Sequence, residues 1–150
     1  MGCMFFYIVL FSIGHIIAAI AVYLNHRFVF HGKLGRLPIL RNTRKLHLKH
    51  HAHAYDDVRN EYFEPLWVKV GFYLFISLIG TLFSWAFALG LFSFGLLYSY
   101  RHKNIHNADT SSYFSIHHRY HHTVDPRYNY SGIYPSIDYL FGTASTQKKD

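Results

Sequence analysis

Ten of the thirteen histidines in this 150-residue sequence fall in four short clusters, and their spacing is what could do chemistry. His26 and His31 form the first cluster, and His47, His50 and His51 the second. His102 and His106 form the third, and His118, His121 and His122 the fourth. On a helix, residues at i, i+3 and i+4 share a face, so His47, His50 and His51 point one way, as do His118, His121 and His122. His102 and His106, at i and i+4, make a two-ligand clip for one ion. His26 and His31 diverge by about 140° on an ideal helix, so they straddle a helix end or serve different metals. Ten imidazoles are too many for one ion, and two ions with about five ligands each account for them. Neutral imidazole suits iron, zinc, copper and nickel. Two irons can bind and cleave O2. Two zincs would suggest hydrolysis, but hydrolytic dimetal sites bring bridging carboxylates that these clusters lack.

The other histidines read differently. His15 stands alone in an apolar run and is expected to be packed and hydrogen-bonded. His53 lies off the face of its cluster, as a supporting or surface residue. His117 competes with His118, because His117, His121 and His122 are also a ligand spacing. A metal-bound imidazole needs an acceptor on its other nitrogen, and the nearest acids are Asp56, Asp57, Asp109, Asp125 and Asp138. Asp56 and Asp57 are equally readable as solvated, and Asp125 with Pro126 as a turn.

The elements that position these clusters follow from charge. The formal net charge is +7, from 15 Lys and Arg against 8 Asp and Glu. No charged residue precedes Arg27, and none lies between Lys69 and Arg101. A nucleic-acid binder has no reason to exclude charge from two long runs; a membrane protein has a strong one. The single cysteine, Cys3, excludes an intrachain disulfide and cysteine-based zinc modules. Met4–Leu24 is about the length needed to cross ~30 Å of hydrocarbon. The alternative for that run is a signal peptide with Ala19 to Ala21 as cleavage site, which lacks the basic leader. Leu66–Tyr100 would reach about 52 Å as one helix, too long for one crossing. With Gly80 near its middle it reads as a helical hairpin that enters and leaves on one side. Both basic, histidine-rich blocks then share a face, which the positive-inside rule makes cytoplasmic, with the N-terminus outside.

The expected fold is an all-α integral membrane protein: one N-terminal span plus a helical hairpin, with a cytoplasmic helical cap holding a dimetal site. It forms a single domain over 1–150, with spans near 4–24 and 66–100 and histidine-rich segments at 25–65 and 101–143. The tail after Thr143 is expected to be mobile.

The cluster order HxxxxH, HxxHH, HxxxH, HxxHH resembles the fatty acid hydroxylase/sterol desaturase superfamily from His26 to Thr143. The opening His26 to His31 is similar to the family's first box, and a hairpin of about 50 residues separates the second box from the third. Asn129 and Tyr130, followed by Ile137-Asp138-Tyr139-Leu140-Phe141-Gly142-Thr143, resemble the family's end motif, with Ile137 where an aromatic usually stands. The resemblance implies a non-haem diiron centre held by His26, His31, His47, His50, His51, His102, His106, His118, His121 and His122. Zinc is a known stand-in for the irons. The resemblance further implies O2 as co-substrate and a lipid substrate that is hydroxylated or desaturated: a fatty acyl, sphingolipid or sterol. Electrons are expected from an external b-type cytochrome, or a ferredoxin with its reductase. The location expected is the endoplasmic reticulum in a eukaryote or the inner membrane in a bacterium, with no nucleic-acid partner. Carotenoid hydroxylases, similarly short and with similar boxes, are the nearest alternative; acyl-CoA desaturases space their boxes more widely. From another class, a membrane metal-binding or transport protein would place its ligands within the spans, as would a bis-histidine haem cytochrome.

Overall fold

The computed structural model describes residues 2–55, 66–107 and 112–145. Among them every regular element is helical, as expected. In chain order these are α1 (Gly2–Asn25), a π-helical turn (His26–Phe30), a 3-10 turn (Leu34–Arg36), α2 (Arg41–His53), α3 (Leu66–Gly80), α4 (Trp85–Asn107), α5 (Tyr113–Thr123) and α6 (Pro135–Leu140). Asp56, Asp57 and Asp109 lie outside the described residues. The chain divides into two compact units, 1–21 with 64–101 and 22–63 with 102–150.

The first unit is apolar on nearly every surface. Phe5, Phe6, Ile8, Ile16 and Ile17 of α1 are all exposed, as are Trp67, Phe72, Phe75 and Leu78 of α3. The continuous helical run Gly2–Phe30, whose apolar 18-residue stretch has mean hydropathy 2.4, is the one helix among the described residues long and apolar enough to cross a membrane. The Leu66–Tyr100 run breaks into the expected hairpin just after Gly80. Ser84 caps α4 by accepting from the Ala86 amide at 3.2 Å. With 15 residues, α3 is roughly 22 Å long, short of the hydrocarbon thickness.

Small residues bring these helices close. A Cβ on Gly14 would overlap the backbone of Phe87, and one on Gly90 would overlap the backbone of Phe11 and His15. The two helices therefore touch backbone to backbone. Tyr7 meets Trp85 at a ring separation of 4.9 Å, while His15 meets Ser93 eight residues further along both helices, so α1 and α4 run parallel. Gly80 faces Ala88 and Leu91, whereas Gly95 faces the Tyr73 ring, so α3 is antiparallel to α4. The Ala21 end of α1, the start of α3 and the Arg101 end of α4 consequently share one end of this unit. His15 is packed and hydrogen-bonded, as expected: its Nδ1 lies 2.9 Å from Ser93 Oγ and its ring meets Phe94 edge-on.

The second unit has a polar centre. Tyr23, Ile133, His118, His121, Asn129 and Asp138 are its largest fully buried side chains. Burial of this kind requires hydrogen bonds, and Asp138 supplies many. Its carboxylate accepts from the amides of Tyr130 at 2.8 Å and Ser131 at 3.0 Å, from Thr143 Oγ1 at 2.9 Å and from His117 Nε2 at 3.0 Å. Arg27 donates to Tyr23 Oη, which lies 2.9 Å from Thr143 Oγ1, so the network reaches the guanidinium. Asn129 takes a positive φ of 58° that few side chains other than asparagine tolerate. It donates to the His117 carbonyl at 2.9 Å and accepts from the Ser145 amide at 2.8 Å. The segment after Thr143, expected to be mobile, is thus held as far as Ser145; residues 146–150 lie outside the described ones. α5 begins at Ser112, whose Oγ accepts from the Ser115 amide at 3.2 Å. α6 begins with Pro135 and ends at Gly142 with φ 65°.

Candidate metal centre

All ten histidines of the four clusters belong to the second unit, and the fold sorts them into two groups of five. His26, His31, His47, His51 and His121 form the first group, and His50, His102, His106, His118 and His122 the second. Within each, the ligand atoms all lie within 4.8 Å of one another. In the first group the Nε2 atoms of His26 and His47 are 3.1 Å apart, those of His31 and His51 3.1 Å, and those of His26 and His121 3.0 Å. In the second, Nε2 of His118 lies 2.9 Å from His102, 3.0 Å from His106 and 3.0 Å from His122. His50 faces His106 and His122, with ring separations of 4.7 and 4.8 Å. The rings of His51 and His122 stack at 4.0 Å, one from each group.

The first box reaches this arrangement through a feature its spacing does not reveal. His26 and His31 straddle a helix end, as expected, with the helical run closing at Phe30 and His31 capping it, and they serve the same group. The chain widens into a π-turn, and the His31 amide bonds the His26 carbonyl at 3.1 Å. This i→i+5 bond takes up the extra residue, so histidines five apart return to the same side. The two HxxHH boxes also divide. Each keeps its i, i+4 pair in one group and sends its middle histidine to the other: His50 leaves His47 and His51, and His121 leaves His118 and His122.

The donors suit a cation. A neutral imidazole has one N–H. His26 donates its Nδ1–H to the Tyr130 carbonyl at 2.5 Å, and His121 donates its Nδ1–H to the Tyr128 carbonyl at 2.6 Å. Both Nε2 atoms are therefore bare lone pairs, and they face each other at 3.0 Å. Two facing lone pairs repel unless an electrophile lies between them, so this donor set fits a borderline metal ion that favours imidazole. Burial keeps the rings neutral. It pushes the imidazoles of His47, His118, His121 and His122 well below their ordinary 6.5, and neighbouring imidazoles push the same way. Burial, with Arg44 nearby, brings His31 down to about 4, and burial with His31 and His50 brings His51 down to about 3. Neutral rings are the form a metal needs. Among the described residues no carboxylate joins either group.

His117 and His118 separate cleanly. His118 joins the second group, while His117 turns to Asp138. His53 is part-buried in the last turn of α2 and belongs to neither group. Of the candidate acids, Asp125 pairs with Arg127 at 2.7 Å on the surface, and Asp138 contacts a ligand only through backbone. The carbonyls that hold His26 and His121 escape sequence reasoning, because a backbone acceptor carries no residue signature. Tyr55 was also missed: its ring lies 5.3 Å from that of His106, and burial raises its phenol to about 12.

No curated protein and no solved structure matches the chain. The family model described as Fatty acid hydroxylase matches residues 11–143, a stretch that takes in all four boxes and the Asp138 network. With most of its length matched and its histidines gathered as the boxes require, the chain belongs to the fatty acid hydroxylase family.

Proposed function

We propose that the protein is an integral membrane oxidoreductase that uses O2 to hydroxylate or desaturate a C–H bond of a lipid, with one iron held by each five-histidine group. The observation that carries this reading is the pair of bare, converging Nε2 lone pairs on His26 and His121, in the first of two all-histidine groups, in a chain of the fatty acid hydroxylase family. A diiron centre would supply O2 reduction and the oxidising power to break an unactivated C–H bond. The chain's own residues do the rest. The five imidazoles of each group fix ion position and the two backbone carbonyls lock two of the ring tautomers. His118 and His121 are fully buried, one in each group. Among the described residues each group is made of neutral imidazoles alone, a donor set that suits iron.

The apolar first unit fits a membrane setting, with Met4–Leu24 as a crossing, the α3–α4 hairpin returning the chain to the same face, and both histidine blocks cytoplasmic. The basic second unit would dock an acidic electron carrier by long-range attraction. The test combines metal analysis of the purified protein with an optical spectrum and a comparison of lipids from cells with and without it. Two irons per chain, no Soret band and a lipid bearing one added oxygen or double bond are expected. A haem spectrum, or a chain that takes up no metal, refutes the reading. An altered carotenoid would shift the substrate class and keep the chemistry.

A further inference from the structure

The turn from Tyr128 to Ser131 presents two peptide groups to the first histidine group, and each is backed from behind by the end motif. The carbonyl of the 130–131 peptide accepts from His26 Nδ1 at 2.5 Å, and the N–H of the same peptide donates to Asp138 Oδ2 at 3.0 Å. The carbonyl of the 128–129 peptide accepts from His121 Nδ1 at 2.6 Å, and its N–H donates to the Thr143 carbonyl at 2.8 Å. Thr143 is bound to Asp138 in turn, amide to carbonyl at 2.8 Å and hydroxyl to carboxylate at 2.9 Å. The links through Asp138 to His26 are buried, and the one from Tyr128 to His121 is part-buried. A carboxylate that pulls on a peptide N–H polarises that peptide and makes its carbonyl a better acceptor. A better acceptor on Nδ1–H fixes the ring and makes Nε2 a stronger ligand. The second group has no such backing on α5: Nδ1 of His118 and of His122 is buried with no hydrogen-bond partner among the described residues.

We infer that Asp138 is a positioning residue that acts through the 130–131 peptide on His26, strengthening metal binding at the first group. The inference rests on the metal-centre reading above. Cobalt(II) titration of the metal-free full-length protein, followed by its visible d–d absorption, tests it. His50→Ala cripples the second group and His31→Ala the first, so each binding step can be assigned. The first-group step should persist in His50→Ala. Asp138→Asn should weaken that step about 10–100-fold and leave the step seen in His31→Ala unchanged. Equal weakening of both steps would reveal a general fold defect and overturn the inference, as would no weakening at all. A wild-type protein that takes up no cobalt overturns the metal reading and this inference together; a wild type that takes up two, with Asp138→Asn indistinguishable, overturns the inference alone. Should Asp138→Asn fail to fold, NMR of wild-type protein carrying nitrogen-15 histidine decides. His26 must hold its proton on Nδ1, in a strongly deshielded signal; a proton on Nε2 overturns the inference.

Discussion

Asn129 offers a three-way test of how the second unit holds its turn. It is fully buried, sits at φ 58°, and makes side-chain bonds to the His117 carbonyl, the Ser145 carbonyl and the Ser145 amide. Asn129→Gly keeps the backbone conformation at no steric cost but removes those bonds and strands the Ser145 amide, at roughly 2–3 kcal/mol. Asn129→Ala loses the same bonds and adds the left-handed penalty of about 1–2 kcal/mol, for a total near 4 kcal/mol. Asn129→Asp keeps an acceptor for the Ser145 amide but aims a buried anion at the His117 carbonyl, and should cost at least as much as alanine. The expected order of damage is therefore glycine, then alanine, with aspartate no better than alanine. Both tryptophans, Trp67 and Trp85, belong to the other unit, so indole fluorescence is the wrong probe. Near-ultraviolet circular dichroism of the tyrosines, or hydrogen exchange at the Asn129 and Thr143 amides, reports on the turn. Alanine no worse than glycine would refute the role given to the positive φ. All three variants within about 0.5 kcal/mol of wild type, the range of an ordinary surface change, would refute the role given to the bonds.

Other expectations follow from the same geometry. Without metal, the second unit should lose stability as pH falls below 6.5, because the unfolded chain protonates its histidines while His31 waits until about pH 4 and His51 until about pH 3. At pH 5.5 this linkage is about 1.4 kcal/mol per imidazole and at most roughly 10 kcal/mol over the seven of this unit whose values burial depresses; a flat stability profile from pH 7.5 to 4.5 would contradict it. In the first unit, Gly14→Ala should cost roughly 1–3 kcal/mol by forcing α1 off the backbone of Phe87. Gly71→Ala, where a Cβ meets nothing, should stabilise by up to about 1 kcal/mol. Tryptophan fluorescence in detergent compares the two, and an equal effect would remove the close contact from the argument. His50→Ala and His121→Ala should each lose metal and activity while His15→Ala keeps both; full metal occupancy after either of the first two changes would exclude that residue as a ligand.

Much of this arrangement is written in residue types. Charge-free runs marked α1 and the α3–α4 hairpin, because a charge cannot sit cheaply in an apolar setting, and Gly80 marked the break. The i, i+4 pairs His47 with His51, His102 with His106 and His118 with His122 each stay together, since one helical turn brings them into line. Spacing fails where backbone geometry departs from the ideal helix. The π-turn after His26 is invisible to a count based on 3.6 residues per turn. The exchange of His50 and His121 depends on how α2 and α5 meet, which no local pattern encodes. Asn129 and Asp138 were noticeable in the end motif, yet their work is done on peptide groups, and peptide groups are the same in every sequence.

The exchange of middle histidines also sets an order of assembly. The first group takes four of its rings from the chain before α3 and its fifth, His121, from α5; the second takes His50 from α2 and the other four from α4 and α5. During synthesis from the N-terminus, neither group can be complete until the fourth box has been made. A nascent chain that ends before α5 carries four rings of the first group and three of the second, so both groups are still incomplete. Completion of both groups is thereby tied to the same late moment, when α5 reaches α2.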